Sequence, residues 1–282
     1  MIEESSLTSK RIAEYLASGK RFDNRAFDEY RKIEIDLSLS KKAEGGAKVK
    51  IGKTEVWVAI KMSVGEPYPD SPDKGTLIVS AELTPLSHEK YEYGPPRFDS
   101  IEIGRLVDRG IRESKLIDLD KLCIKKGEKV WSIFIDIYSI NDDGNLLDAS
   151  FIGALAALKN STIPYYDEKE EKVDYEKEPR KSLGLNENIP INFSIYKIGK
   201  KLILDPNLEE EMASDGRLVF AAVPGKPFNI CSMQKSDVMA LDFENFENML
   251  DLIEKNYNKL YKEITKKIDD ASKYLKKTLK KK

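Results

Sequence analysis

Two cysteines, Cys123 and Cys231, and one histidine, His88, are all that 282 residues contain of those types. So few thiols exclude a disulfide scaffold and a Cys-based zinc site. Every Ser-His, Cys-His or His-ligated metal scheme has to run through His88. It stands in the polar stretch "ELTPLSHEKYEYGPP" without an HxxH or HxxE partner, and is read as an ordinary surface histidine. Net charge is nearly absent: 47 Lys and Arg balance 49 Asp and Glu. No global field draws nucleic acid, so any electrostatic binding must come from a local patch. No run approaches the roughly 18 apolar residues of a membrane span. The opening "MIEESSLTSK" is acidic and lacks the apolar core of a signal peptide. The expectation is a soluble cytoplasmic protein with no membrane partner. Walker A, GxGxxG, GxSxG and HExxH patterns are also missing.

What is present is a chain 40% hydrophobic and 34% charged, long enough for one large domain or two related lobes. "EESSLTSKRIAEYLASGKR" reads as an amphipathic helix with Leu7, Ile12, Tyr15 and Leu16 inward and Gly19 as its stop. "KIEIDLSL" and "AKVKIGKTEVWVAIKMSV" alternate as strands, the latter around a turn near Gly52 and Lys53. "TLIVSAELTPL" is a further strand. "SIEIGRLVDRGIRESKLI" places Ile103, Leu106, Val107 and Ile111 at helical spacing. "KVWSIFIDIYSI" is a strand, "NDDGN" a turn, and "LLDASFIGALAAL" a helix apolar all round, hence buried. The charge-rich 165–188 stretch predicts a mobile excursion or exposed hairpin.

Strands resume in "PINFSIYKIGKKLILDP", "RLVFAAV" and "FNICSMQKS". A long last helix carries one apolar stripe, Phe243, Phe246, Leu250, Ile253, Tyr257, Leu260, Ile264 and Ile268, read as core. The lysines of "KKTLKKK" read as a solvated, fraying tail. The order of elements predicts an α+β layout, sheets with helices packed on one face.

Three stretches carry chemistry. Arg105, Arg109 and Arg112 are spaced four and three apart, which puts three guanidiniums on one helix face. A planar fork suits phosphate oxygens. The alternative is a solvated face paired with Glu102, Asp108 and Glu113, but Asp108 and Glu113 each adjoin an arginine and are expected to point elsewhere. Arg21, Asp23 and Arg25 alternate in a loop, where a bidentate pair is expected to lock the chain. "LDPNLEEEMASDGRLVF" crowds Asp205, Glu209, Glu210, Glu211 and Asp215 together before Arg217. Such acids suit a magnesium ion with substrate phosphates, or equally the N-terminus of a short helix.

From about Ser18 to Lys235 these blocks, in order, resemble the RNase PH family. "SGKRFDNRAFDEYRKIEI" is similar to its Gly-x-Arg-x-Asp-x-Arg opening, and "AEGGAKVKIGKTEVWVAIK" to the strand pair that follows. "SPDKGTLIVSAELTPL", "YGPPRFDSIEIGRLVDRGIRESKLIDLDKLCI", "VWSIFIDIYSINDDGNLLDASFIGALAAL" and the acid block come next. "LDLDKLCI" and "VWSIFIDIY" with "DDGNLLDA" resemble in particular the non-catalytic RNase PH-type subunits of the archaeal exosome ring.

The resemblance implies a single RNase PH-like domain over 1–282 built from two β-α lobes, about 20–160 and 189–282, around the charged excursion. It implies alternating heterodimers with a catalytic sister subunit, three to a six-membered ring. That ring encloses a path for single-stranded RNA and bears RNA-binding cap subunits; no cofactor or metal is implied. Catalytic members place a double arginine before the central helix to bind phosphate, where this chain has Arg97-Phe98-Asp99. Aligned from Asp205, their Asp-x5-Asp acids fall on Glu211 and Arg217. Two losses argue against an autonomous active site, so no catalytic residue is assigned. Arg105 and Arg109 match arginines through which this branch contacts RNA phosphates, and Arg112 shares their face. The competing expectations are a phosphate-dependent 3′-to-5′ exoribonuclease acting on its own, and an unrelated α+β protein.

Overall fold

The computed structural model describes residues 6–40, 42–178 and 180–279. Its first helix, α1 (Ser6–Ala17), ends where Gly19 takes a φ of +86°. That left-handed stop is the conformation a glycine adopts without a Cβ penalty. Ile12 and Leu16 are buried, but Leu7 is exposed, and Tyr15 instead stacks on Phe22 at a centroid distance of 4.5 Å. The inward face of α1 is therefore half of the one its spacing predicts.

Strands β1 (Ile33–Asp36), β2 (Gly45–Ile51), β3 (Thr54–Gly65), β4 (Thr76–Leu83), β5 (Cys123–Lys125) and β6 (Lys129–Asn141) form one sheet. Its order is β1-β2-β3-β6-β4, with β5 pairing β6. The β2–β3 hairpin turns at Gly52, whose φ is +60°. All pairs are antiparallel except β4 with β6. A parallel pair needs a crossover, and α2 (Phe98–Glu113) lies on it. Ile103, Leu106, Val107 and Ile111 are buried as their period requires.

The turn at 141–145 launches α3 (Leu146–Lys159), which is buried from Leu146 to Leu158. Gly153 lets it lie against β3, since a Cβ there would stand 2.6 Å from Val58 Cγ2. The charged stretch forms small ribbons: β7 (Thr162–Ile163) pairs with β10 (Lys181–Ser182), and β8 (Tyr165–Asp167) with β9 (Lys172–Asp174). β8 and β9 make a hairpin that packs Tyr166 and Val173 on the core and exposes Tyr165, Lys172 and Asp174.

The second sheet is antiparallel, in the order β12-β11-β13-β14. Its strands are β11 (Ile191–Ile198), β12 (Lys201–Leu204), β13 (Gly216–Pro224) and β14 (Phe228–Ser236), with the short helix α4 (Leu208–Met212) before β13. Helix α5 (Phe243–Leu279) buries Ile253, Tyr257, Leu260, Ile264 and Ile268, whereas Phe243 at the head of the stripe is 74% exposed. Lys280 to Lys282 of the lysine tail lie outside the described residues.

Both sheets share one hydrophobic core, continuous from Ile33 to Ile268. Helix α3 meets β2 and β3 on one side and β11 on the other, and α2 likewise touches β4 and β14. Where α2 crosses α3, Gly110 admits the ring of Phe151 and the methyl of Ala221. Helices inserted between two sheets bring the arginine helix, the N-terminus of α3, the acid block and β13 to one place. Among the described residues no helix is long and apolar enough to cross a membrane.

Candidate functional site

The five carboxylates of the acid block disperse. Asp205, fully buried, accepts from Arg25 Nη1 at 2.9 Å, from the Arg31 backbone N–H at 2.7 Å and from Arg31 Nε and Nη2 at 2.9 and 2.8 Å. Asn145 Nδ2 adds a fifth bond at 2.9 Å. Burial pushes the Asp205 carboxyl up, but the Arg31 guanidinium outweighs it and holds the group below the usual carboxylate range. Glu210 closes a capping box with Asn207 at the start of α4 and takes a two-pronged bond from the buried Arg21, at 2.9 and 2.5 Å. Glu209 is exposed, and Asp215 pairs with Lys197 at 3.5 Å. The loop arginines thus lock the chain, as the Arg21–Asp23–Arg25 alternation predicts, with Arg25 Nε bonded to Asp23 at 2.6 Å.

Glu211 alone turns toward the alignment-implied site. Its Oε2 accepts the Asn145 backbone N–H at 2.6 Å, at the first turn of α3. That approach depends on Gly144, whose φ is +84° and whose Cβ would lie 2.4 Å from the Asn207 carbonyl carbon. Burial raises the Glu211 carboxyl while Arg217 lowers it, and the net shift is upward.

Arg217 is placed by strand register. It faces Tyr196 across β11 and Ser236 across β14, so the three side chains form one row on the second sheet. Above that row stands Glu102 of α2, buried at 7% exposure. Arg217 Nη2 donates to Glu102 Oε2 at 2.5 Å, Ser236 Oγ donates to Glu102 Oε1 at 2.6 Å, and Glu211 Oε1 lies 3.9 Å from Arg217 Nη1. The guanidinium also sits 5.8 Å from the Tyr196 ring. Burial works against its charge, but Tyr196, Glu211 and Glu102 prevail, and Arg217 stays cationic. The node holds two acids and one cation, with no pair of free carboxylates.

At the N-terminus of α2, Arg97 is exposed and salt-bridged to Glu92. It borders a cavity of about 540 Å³ with Lys90, Tyr91, Asp99 and Ser100. Lys90 and the Tyr91 hydroxyl both engage Asp142, at 3.0 and 2.7 Å. His88 is part-buried and structural in its contacts: its Nδ1 accepts the Lys90 backbone N–H at 3.0 Å.

The three helix arginines do not share one state. Arg105 and Arg109 are exposed; Arg109 Nη1 reaches only Gln234 Oε1, at 3.4 Å, and Arg105 has no ion pair among the described residues. Arg112 is engaged, donating to Asp108 at 2.6 and 3.1 Å and to the Leu77 carbonyl at 2.9 Å. The expectation that Asp108 points away is corrected: it stands one turn before Arg112, the favourable spacing for a helical ion pair. Glu102, a partner of these arginines in the alternative of a solvated face, is the buried partner of Arg217. Missed altogether were Arg31, Asn145 and Ser236; the carboxylates of Asp205 and Glu102 that they serve lie 60 or more residues away in sequence.

Comparison with known proteins fits this architecture. Models of the 3′ exoribonuclease family match in two parts, domain 1 over residues 29–164 and domain 2 over residues 188–254. The chain belongs to the RNase PH family. Exosome complex component Rrp42 of Archaeoglobus fulgidus is 45% identical over 84% of this chain and 88% of that protein. Its namesake in Methanopyrus kandleri is 41% identical over 85% of this chain and 89% of that protein. A chain from the structure "archaeoglobus fulgidus exosome with RNA bound to the active site" superposes with a TM-score of 0.83 at 41% identity, covering 91% of this chain and 97% of that one. This RNase PH-family chain thus matches its relatives over most of their length.

Proposed function

We infer that this chain is a non-catalytic subunit of an archaeal-type exosome, a 3′-to-5′ RNA-degrading complex of the cytoplasm. Its place is in a six-membered ring, a trimer of heterodimers with a catalytic RNase PH-like sister, beneath RNA-binding cap subunits. The relatives' shared designation as an exosome component, at 41–45% identity, supports the assembly. The observation that carries the division of labour is Arg217. Phosphorolysis sets inorganic phosphate against the terminal phosphodiester, and needs groups that hold that anion and a carboxylate that donates a proton or anchors a metal. At the second acid position this chain has a guanidinium bonded to Glu102 and beside Glu211, and where the phosphate-binding pair belongs it has Arg97 and a phenylalanine.

Arg105 and Arg109, exposed and without an ion pair among the described residues, are the side chains fitted to hold the phosphates of single-stranded RNA. Arg112, tied to Asp108, contributes less. Contact through phosphates makes binding tolerant of sequence and sensitive to salt.

Three measurements test this reading. The purified chain with phosphate releases no nucleoside diphosphate from polyadenylate, yet forms a hexamer with its catalytic sister in light scattering. Release by the chain alone would favour a self-sufficient phosphorolytic enzyme. In the assembled ring, Arg105→Glu with Arg109→Glu weakens RNA binding and leaves assembly intact; unchanged binding removes the arginines from the RNA path.

A further inference from the structure

We propose that Arg217, through Glu102, is a positioning residue for RNA: it sets the turn of α2 that presents Arg105 and Arg109. The inference rests on the RNA-binding reading above and extends it to a residue that need not touch RNA. Glu102 lies three residues before Arg105 and seven before Arg109, so all three share one stripe of the helix. It is buried, while the two arginines are exposed. The anchored residue of the stripe fixes the azimuth of the free ones.

The remaining ties of α2 do not duplicate this anchor. Ser100 Oγ bonds the Ala81 carbonyl at 2.5 Å and Arg112 bonds the Leu77 carbonyl, and both attach the helix to β4 of the first sheet. On the second sheet the polar ties are Glu102, held by Arg217 and Ser236, the long contact of Arg109 to Gln234, and a weak one from Cys231 Sγ to the Gly110 carbonyl at 3.9 Å, about two turns along the helix from Glu102. Among the described residues no side chain caps the N-terminus of α2. The Arg217 guanidinium is held by its bond to Glu102, with Glu211 Oε1 3.9 Å from Nη1 and the Tyr196 ring 5.8 Å away, while its buried Nε has no partner among the described residues. A carboxylate at position 217, the residue type the catalytic pattern requires, would repel Glu102 and release that side of the helix. The loss of an acid and the presentation of the arginines are then one structural change.

The test uses rings assembled with the catalytic sister and a fluorescent single-stranded oligoadenylate. Arg217→Met removes the charge and keeps much of the side-chain volume. RNA affinity is expected to fall roughly tenfold, the order of loss when a charge-assisted hydrogen bond to phosphate is weakened. The slope of log affinity against log salt is expected to shrink by roughly 0.7 for each phosphate the arginines no longer neutralise. In the Arg105→Glu, Arg109→Glu background the same substitution changes affinity no further. Wild-type affinity for Arg217→Met overturns the proposal, as does an equal loss in both backgrounds, which means direct contact. If the arginine variant itself binds like wild type, the RNA-path reading falls and the positioning role with it. Should Arg217→Met fail to assemble, Ser236→Ala removes one bond from Glu102 without stranding a charge. It lowers affinity in the same direction and only when Arg105 and Arg109 are present; no change in affinity refutes the role.

Discussion

Replacing Arg21 by methionine tests how this fold holds its acid block. Arg21 is fully buried, with both Nε and Nη2 bonded to Glu210, itself 2% exposed. Its remaining protons reach the carbonyls of Ala26, Leu204 and Asp205 at 3.3, 3.1 and 2.8 Å. Methionine fills much of the space but strands a buried carboxylate, and breaking a buried pair in this way costs about 3–5 kcal/mol. Carbonyls left without a donor add to that, though not independently, so about 5 kcal/mol is expected. At about 2–4 °C per kcal/mol for a chain of this order of size, the melting temperature falls by about 10–20 °C. Thermal circular dichroism of the purified chain at pH 7 reads the shift. Arg21→Met with Glu210→Leu should recover part of it, because no charge remains to be solvated. A melting point for Arg21→Met within about 2 °C of wild type would refute the account, since a pair worth so little cannot be what fixes the loop.

Asp205→Asn destabilises by about 3 kcal/mol at pH 7 by stripping Arg25 and Arg31 of their anion. Because the folded carboxyl lies below its ordinary value of 3.8, its contribution is complete above that pH and is lost as pH falls further. Wild type and variant therefore converge in urea titrations taken below about pH 3.8, and a constant gap across pH 3 to 7 contradicts the linkage. Gly110→Ala puts a methyl 2.3 Å from Phe151 Cε2 and 3.3 Å from Ala221 Cβ. Phe151 is fully buried and cannot swing aside, so about 1–3 kcal/mol is lost, and an unchanged melting point disproves the close crossing.

Periodicity made the helices and strands legible because burial here follows local spacing. The 103–111 stripe and the buried 146–158 helix needed nothing beyond the sequence. The misreadings arose where a side chain answers to a distant partner. Tyr15 has the spacing of a core residue but finds Phe22 outside the core. Asp108 adjoins Arg109 in sequence, but on a helix it shares a face with Arg112, one turn on. Most of the candidate site was hidden for the same reason. Carboxylate density in 205–215 carries no sign that Asp205 serves Arg31, 174 residues earlier, or that Glu210 serves Arg21, 189 residues earlier. Glu102 looked like a surface acid among arginines, and only the β11–β13–β14 register, which puts Tyr196, Arg217 and Ser236 in a row beneath it, reveals its role. Arg217 was readable as a departure from a pattern, but the sequence did not show what the guanidinium does.

The neighbours of the guanidinium decide what happens if the departure is reversed. Arg217→Asp would supply the acid that the catalytic pattern calls for, yet the side chain would arrive between Glu102 and Glu211. Three carboxylates would then share a site in which Lys90, a cation that acts on Glu211, is committed to Asp142 at 3.0 Å. Carboxylates so placed cannot all ionise, and their pKa values rise together. The incoming phosphate is itself an anion and would meet this repulsion with only Arg97, already paired to Glu92, where two arginines are needed. The variant is therefore expected to release no nucleoside diphosphate from polyadenylate and to melt below wild type. The stability loss is expected to deepen from pH 5 to pH 8 as the crowded acids are forced to ionise, since their folded pKa values lie above the unfolded ones. Phosphorolysis by Arg217→Asp alone would show that position 217 is the whole difference between this chain and an enzyme. Its absence, together with that pH dependence, locates the difference in the surroundings: an acid is functional only where the neighbouring charges leave room for both it and the nucleophile.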